Sequence, residues 1–133
     1  MTLPAISLVI PVYDEEDNLR LLHQAICKAL PEQDFEVLYV NDGSHDSSGR
    51  ILDELASEDN RAKVIHFVRN YGQTAALTAG IRTAKAPILI TLDADLQNDP
   101  SDIPEMLKLI DEYDVVCGWR KDRKDNAFTR TLP

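Results

Sequence analysis

Residues 5–40 read AISLVIPVYDEEDNLRLLHQAICKALPEQDFEVLYV, and this stretch decides the fold. The apolar run at 5–12 predicts a buried strand, and the apolar spacing along 15–30 predicts an amphipathic helix. A second run at 35–40 is rich in β-forming residues and predicts a second strand. A strand, a helix and a strand in this order are typical of a parallel βαβ unit.

The same alternation of apolar runs and amphipathic stretches continues after residue 40. It predicts helices at 46–59, 74–84 and 101–111 and strands at 63–68, 87–92 and 114–117. We therefore expect one α/β domain of the Rossmann-like kind, with a mostly parallel sheet and helices on both faces. After Gly118 the chain becomes polar and basic and gains no further element, so we expect a fold that is truncated at its C-terminus.

The composition and charge disfavour several classes of protein. With 44% hydrophobic and 28% charged residues, the chain is globular rather than disordered. Its 23 acidic and 14 basic residues give a net charge of -9, which argues against general nucleic-acid binding. This acidity is compatible with a site that holds a divalent cation, although solubility alone would also explain it.

The cysteines and the lack of long apolar segments bear on the compartment. Cys27 and Cys117 have no metal-ligand or redox spacing and lie among apolar neighbours. We expect buried thiols in a reducing compartment rather than a disulfide. Residues 1–8 do not resemble a secretory signal, and no segment approaches the roughly 20 apolar residues that cross a bilayer. We therefore expect this chain to be soluble by itself.

The strongest chemical signal is Asp93-Ala94-Asp95, which directly follows the predicted strand at 87–92. Ligands of open parallel sheets bind at the carboxyl ends of the strands. Two carboxylates one residue apart can reach a common Mg²⁺ or Mn²⁺, and these ions prefer oxygen ligands that they share with substrate phosphates. The side-chain carbonyl of Gln97 could complete the set. A loop with two solvated acids is the alternative.

The segment Asn41-Asp42-Gly43-Ser44 ends one predicted strand and opens a helix. Its glycine permits a tight turn, and a following aspartate or serine could cap the helix. A plain turn and cap would explain the glycine and the serine. Asp42 is less well explained in this way, and it could accept hydrogen bonds from a base or a ribose.

The three histidines do not form a set in the sequence. We expect His23 on the surface of the first helix and His66 in a strand, as a core or sheet residue. His45 lies beside the turn that follows the second strand. A histidine-based metal or catalytic centre is therefore not predicted.

Other enzyme and signalling classes fit the order of these motifs less well. In phosphatases of the haloacid dehalogenase type, Asp-x-Asp normally follows the first strand, whereas here it follows the fourth. A receiver-type module needs an aspartate after the third strand, where this chain has Arg69-Asn70. A sugar-nucleotide pyrophosphorylase carries a glycine-rich basic loop where this chain has Tyr13-Asp14-Glu15. The chain has no Gly-x-Gly-x-x-Gly motif, which disfavours a dinucleotide dehydrogenase.

Four motifs at successive strand ends carry a resemblance to a known family. In order, they are IPVYDEE at 10–16, VNDGS at 40–44, RNYGQ at 69–73 and LDADLQ at 92–97. Along nearly its whole length the chain resembles family 2 glycosyltransferases. The form DADLQ and the later GWRKDR at 118–123 are most similar to dolichyl- and undecaprenyl-phosphate sugar synthases. The resemblance implies a glycosyltransferase A-type fold, with residues 1–133 as the nucleotide-sugar-binding part of the catalytic domain.

The resemblance also implies roles for particular residues. Asp42 would contact the base, and Asp93, Asp95 and Gln97 would hold Mg²⁺ or Mn²⁺. Asp93, Asp95 and Arg120 would be catalytic. Asp14 departs from the family, which commonly has asparagine there. The implied substrate-binding set lies after successive strands and comprises Pro11, Val12, Tyr13, Glu15, Asp42, Ser44, Arg69, Asn70, Gln73, Asp93 and Arg123.

The implied activity is transfer of a sugar from a UDP- or GDP-linked donor to a polyprenyl phosphate, with inversion at the anomeric carbon. A phosphate acceptor is already ionised near neutral pH and needs little help from a general base. The longer parent protein would be membrane-associated on the cytoplasmic side and would not bind nucleic acid. Two alternatives stay open: a saccharide acceptor in cell-wall, capsule or lipopolysaccharide synthesis, or nucleotide binding without turnover.

Overall fold

Strands and helices alternate along the chain as the sequence predicts. The computed structural model describes residues 3–118. Its elements are β1 (Ile6–Val12), α1 (Leu19–Ala29), β2 (Phe35–Asn41), α2 (Ser48–Glu58), β3 (Ala62–His66), α3 (Gln73–Thr83), β4 (Ile88–Thr91), a 3-10 turn (Pro100–Asp102) and α4 (Ile103–Leu109). The chain divides after Ser101 into two units, and the first holds the sheet and α1 to α3. Among residues 3–118, no helix has the length and apolar character that a membrane span requires.

All four strands are parallel and lie in the order β3-β2-β1-β4. The central strands β1 and β2 are almost entirely buried. This burial explains their near-continuous apolar sequences, because a central parallel strand is covered on both faces. The edge strands β3 and β4 are partly exposed. The predicted parallel sheet is confirmed.

Helices cover both faces of the sheet, which also confirms the prediction. On one face, α1 brings His23 to Tyr39 of β2, with His23 Nδ1 2.7 Å from the tyrosine hydroxyl. Tyr39 and Val40 are consecutive strand residues, so their side chains point to opposite faces. Helix α3 lies on the face of the sheet to which Val40 points. A Cβ added to Gly80 of this helix would stand only 2.3 Å from Val9 Cγ1. Gly80 therefore lets α3 approach the sheet closely.

A buried carboxylate, Glu36, ties several elements together near the amino ends of the strands. It is 2% exposed and accepts hydrogen bonds from Ser7 Oγ at 2.5 Å, Lys63 Nζ at 2.9 Å and the backbone N–H of Lys85 at 2.8 Å. Burial by itself raises the pKa of Glu36, but the hydrogen bonds from Ser7 and Lys63 outweigh it, so the pKa lies below its ordinary value. Glu36 is therefore a charged group that the fold satisfies.

A second polar network corrects the expectation for His23, which is buried rather than on the surface. Its Nε2 lies 2.9 Å from Asp59 Oδ2, and Arg61 donates to both oxygens of Asp59. The hydrogen bond from Arg61 is the largest cause of the strongly lowered pKa of Asp59. Asp59, His23 and Cys27 bring one ligand atom each within 4.8 Å of one another, but Arg61 also donates to the Cys27 sulfur. A metal ion bound at this cluster would therefore lie next to the positively charged guanidinium of Arg61.

The other histidine that we placed by sequence, His66, is the last residue of β3, which confirms it as a sheet residue. Its side chain is 40% exposed, with Nε2 2.7 Å from Asp53 and Nδ1 3.0 Å from the side chain of Asn41. The position is thus at the sheet margin and not in the core.

The first two helices begin later than predicted. α1 starts at Leu19 rather than at residue 15, and α2 starts at Ser48 rather than at residue 46. Hydrogen bonds instead join the residues ahead of the two helices: Asp14 with Ser44, Glu15 with Ser48 at the start of α2, and Glu16 with Asp46. Those bonds join residues 30 to 33 positions apart. Local apolar spacing carries no information about such contacts.

The predicted fifth strand at 114–117 is wrong. These residues are irregular, and Val115 is 77% exposed. A strand needs a neighbour to satisfy its N–H and C=O groups, and within the described residues this segment has none. Cys117 is exposed and Cys27 is partly buried, so the expectation of two buried thiols is also wrong. Both thiols are free, as expected.

Candidate functional site

A cavity of about 280 Å³ opens at the carboxyl ends of β1, β2 and β4. Parallel strands bring the residues that follow them to one edge of the sheet, which explains how distant motifs converge here. The cavity joins most of the residues that the sequence predicts for substrate binding with the two acids predicted for the metal. Its lining consists of Pro11, Val12, Tyr13, Glu15, Asp42, Gln73, Asp93, Ala94 and Asp95.

The carboxylate of Asp42 borders this cavity and organises the loop that follows β3. Asp42 is 4% exposed and accepts hydrogen bonds from the backbone N–H groups of Tyr71 at 2.7 Å and Gly72 at 3.1 Å. The side-chain amide of Asn70 donates to it at 3.1 Å. A carboxylate has about four acceptor positions, so it can hold this loop and still meet a ligand. Asn70 serves the loop and does not line the cavity.

The turn after β2 approaches the same loop so closely that only glycine fits. Gly43 has φ +70°, and a Cβ there would stand 2.2 Å from the carbonyl carbon of Arg69. The Arg69 guanidinium lies 5.0 Å from the ring centroid of Tyr71, within cation–π range. Arg69 is exposed and is not among the cavity-lining residues.

The second acidic region of the cavity follows β4. Asp93 and Asp95 are both exposed, and buried Ala94 lies between them. The side-chain amide of Gln73, the first residue of α3, donates to Asp93 Oδ1 at 3.3 Å. The backbone N–H of Gln97 donates to Asp95 Oδ1 at 3.1 Å.

These contacts allow a test of the metal prediction. Asp93 and Asp95 offer exposed carboxylate oxygens on one cavity wall, and Mg²⁺ and Mn²⁺ commonly bind to such a pair together with water and phosphate oxygens. The donor set therefore fits a hard divalent cation. Gln97 does not line the cavity, and the hydrogen bond from its backbone N–H to Asp95 supports the turn that carries Asp95.

The loop after β1 and the turn after β2 are joined side by side at the rim. Six hydrogen bonds connect segment 13–18 with segment 43–48. In one of them, the N–H of Glu15 donates to Ser48 Oγ at 2.9 Å. Ser44, predicted to bind substrate, instead accepts a hydrogen bond from the backbone of the neighbouring segment. Hydrogen bonds within the protein therefore fix the shape of this rim of the cavity.

Sequence reasoning missed two features of this site. Ala94 lines the cavity as a small buried residue, and its place between two acids was the available signal. Asp14 has φ 52°, and an aspartate two residues after an apolar strand hints at this left-handed backbone. Arg120, predicted to be catalytic, and Arg123, predicted to bind substrate, lie outside the described residues.

Comparison with known proteins identifies the family. The model of "Glycosyl transferase family 2" matches residues 7–133. The chain is 47% identical over 131 residues to the undecaprenyl-phosphate 4-deoxy-4-formamido-L-arabinose transferase of Proteus mirabilis, covering 95% of the chain and 40% of that protein. It is 39% identical over 134 residues to the dodecaprenyl-phosphate galacturonate synthase of Rhizobium johnstonii, covering 96% of the chain and 39% of that protein. The chain thus spans about 40% of the length of these relatives.

A solved structure shares the fold. The mannosyltransferase from Pyrobaculum calidifontis, determined in complex with GDP-Man and Mn²⁺, matches 84% of this chain and 34% of its own length with a TM-score of 0.71. At 21% identity this likeness concerns the fold alone. It agrees with the glycosyltransferase A-type architecture expected from the motifs. The family match over residues 7–133 shows that the chain belongs to glycosyl transferase family 2.

Proposed function

We propose that this chain is the nucleotide-sugar-binding part of a metal-dependent, inverting glycosyltransferase that acts on polyprenyl phosphate. One observation carries the proposal: Asp93 and Asp95 share a cavity with Tyr13 and Asp42 at the carboxyl edge of a parallel sheet. The relatives are named as an undecaprenyl-phosphate sugar transferase and a dodecaprenyl-phosphate galacturonate synthase, and these names support the acceptor class.

The nucleoside of a UDP- or GDP-linked donor binds on the β1 and β2 side of the cavity. Pro11, Val12 and Tyr13 supply apolar and aromatic surface there, and Asp42 and Glu15 supply acceptors. This combination of apolar walls and few polar groups is typical of small-molecule sites. Asp42 accepts a hydrogen bond from the base while it keeps its hold on the loop after β3.

The diphosphate and the sugar lie on the β4 side of the cavity. Asp93 and Asp95 hold Mg²⁺ or Mn²⁺, which supplies charge neutralisation for the leaving diphosphate. Gln73 orients Asp93 through the 3.3 Å contact between them. Ser44, Arg69 and Asn70 contribute indirectly, by shaping the loops that surround the donor.

The acceptor phosphate attacks the anomeric carbon from the face opposite the diphosphate, and this geometry inverts the configuration. Arg120 and Arg123 contact phosphate oxygens of donor or acceptor, since a guanidinium meets such oxygens in pairs. Catalysis then rests on alignment and charge stabilisation more than on proton transfer. A lipid acceptor implies that the longer protein works at a membrane, and we propose that it does so on the cytoplasmic side.

Calorimetric titration with UDP and with GDP, each with and without Mn²⁺, tests the donor site. We expect one nucleotide to bind in a metal-dependent way, and Asp95→Ala to weaken that binding about 100-fold because a ligand oxygen is lost. Asp34→Ala is the matched control, since Asp34 is an exposed acid directly before β2, at the opposite edge of the sheet. Metal-independent binding, or equal affinity of the two variants, would contradict the proposal.

A further inference from the structure

Asp14 lies between two cavity-lining residues but does not line the cavity itself. We propose that Asp14 is the positioning residue of the nucleotide pocket: it fixes Tyr13 and Glu15 by clamping the loop after β1 onto the turn after β2. The inference deepens the proposed function and rests on it, since it names what holds the donor pocket in shape.

The backbone of Asp14 is the first observation. Its φ of 52° lies in the left-handed region, which most side chains avoid and which aspartate and asparagine tolerate better than other non-glycine residues. A residue held there persists only where its surroundings determine it. The surroundings of Asp14 do so through three hydrogen bonds.

Those bonds all lead to one short segment. Asp14 Oδ1 accepts from the backbone N–H of His45 at 2.7 Å and from that of Asp46 at 3.3 Å. The backbone N–H of Asp14 donates to Ser44 Oγ at 3.0 Å. One residue thus meets three consecutive positions of the turn after β2, which fixes both the direction and the distance of the loop after β1.

The residues on either side of Asp14 depend on the same clamp. The Tyr13 ring lies edge-on to the His45 ring, with centroids 6.2 Å apart. The backbone N–H of Glu15 donates to Ser48 Oγ, at the first residue of α2. Both neighbours therefore take their places against the segment that Asp14 holds, and both line the cavity.

The position of the carboxylate explains why an acid suits this role. Its acceptor meets N–H groups just before α2, whose own N-cap, Ser47, makes no side-chain cap hydrogen bond. A negative charge near a helix N-terminus is favourable. An asparagine at position 14 would keep the acceptor oxygen and the tolerance for positive φ. A glycine would keep only the tolerance for positive φ, and an alanine would keep neither property. Three substitutions can therefore separate the contributions.

Nucleotide affinity is the first readout. Titration calorimetry of the chain with UDP and with GDP, in Mn²⁺, is carried out on Asp14→Asn, Asp14→Gly and Asp14→Ala. We expect the glycine and alanine variants to bind about tenfold more weakly and the asparagine variant to stay within about threefold of the unaltered chain. Asp17→Ala, which removes an exposed acid from the same loop, should bind like the unaltered chain. If Asp14→Ala binds like Asp17→Ala, or if asparagine fails to rescue binding, the proposal is overturned.

Amide hydrogen exchange without ligand is the second readout. We expect Asp14→Ala to speed exchange at His45 and Asp46 and at the backbone of Glu15, whereas Asp17→Ala leaves these amides unchanged. If the unaltered chain binds neither nucleotide, the proposed function fails, and exchange alone then decides whether Asp14 is the clamp. Unchanged exchange in Asp14→Ala would overturn the clamp, whatever the affinities.

Discussion

Carboxylates at the two ends of the sheet differ in how fully the protein satisfies them. Near the amino ends, Glu36 is buried and accepts hydrogen bonds from Ser7, Lys63 and the backbone of Lys85. At the carboxyl ends, Asp93 and Asp95 are exposed and accept from Gln73 and Gln97. For these three acids, the difference teaches that the carboxylate buried in the fold is saturated by protein donors, whereas the two exposed carboxylates of the cavity keep oxygens available.

Removal of the saturated acid should have the largest effect on folding. Glu36→Ala leaves a lysine, a hydroxyl and a backbone N–H without their acceptor, so we expect the free energy of unfolding to fall by about 3 kcal/mol. Urea denaturation measures the change. Glu32→Ala, at an exposed position, is the control and should stay within about 0.5 kcal/mol of the unaltered chain. Equal stability of the two variants would contradict the structural role of Glu36.

A glycine between the two loops of the site should have the next largest effect. Gly43→Ala forces a Cβ to within 2.2 Å of the Arg69 backbone at a positive φ, so we expect a loss of about 2 kcal/mol and a displaced loop after β3. Denaturation gives the stability. A second test is nucleotide binding, which should weaken because Asp42 then loses its partners. If Gly43→Ala is as stable as the unaltered chain and binds nucleotide as tightly, the turn after β2 does not approach the Arg69 backbone closely.

The pH dependence of stability sharpens the comparison further. The folded-state pKa values of Glu36 and Asp59 lie below their ordinary values of 4.5 and 3.8. Their contribution to stability is therefore present above those ordinary values and is lost as the pH falls through the lower folded-state values. We expect the unfolding free energy to decline as the medium is acidified below about pH 5. Glu36→Gln should make this decline shallower, and an unchanged slope would exclude Glu36 as a source.

The smallest effect on folding should come from the acids of the cavity. Asp93→Asn and Asp95→Asn remove charge from exposed side chains, so we expect the unfolding free energy to change by no more than about 0.5 kcal/mol. The same variants should lose metal-dependent nucleotide binding. Parallel urea denaturation and titration of each variant measure both quantities. A large stability loss would mean that Asp93 and Asp95 stabilise the fold, as Glu36 does, rather than bind a ligand.

The sequence predicted the sheet, and the edge of it where the cavity lies, because both follow from short-range pattern. Apolar runs as continuous as residues 6–12 and 35–41 indicate strands buried on both faces. Once the strands are parallel, the residues that follow them meet at one edge, which is why Asp42 and Asp93 could be assigned to one site.

Long-range hydrogen bonding explains what the sequence did not predict. Ser44 and Asn70 lie at the predicted strand ends, but they form hydrogen bonds with Asp14 and Asp42 and do not line the cavity. His23 is buried because its partners Tyr39 and Asp59 lie 16 and 36 positions away. The positions of such residues depend on contacts with residues distant in the sequence, and the local periodicity of the sequence does not predict these contacts.

A crystal structure of the chain with Mn²⁺ and the nucleotide diphosphate that it binds would test the central claim most directly. We predict Mn²⁺ bound by Asp93 and Asp95, with the diphosphate beside it and the base between Tyr13 and Asp42. Mn²⁺ at another place, such as the cluster of His23, Cys27 and Asp59, or a nucleotide bound away from the carboxyl edge of the sheet, would contradict it.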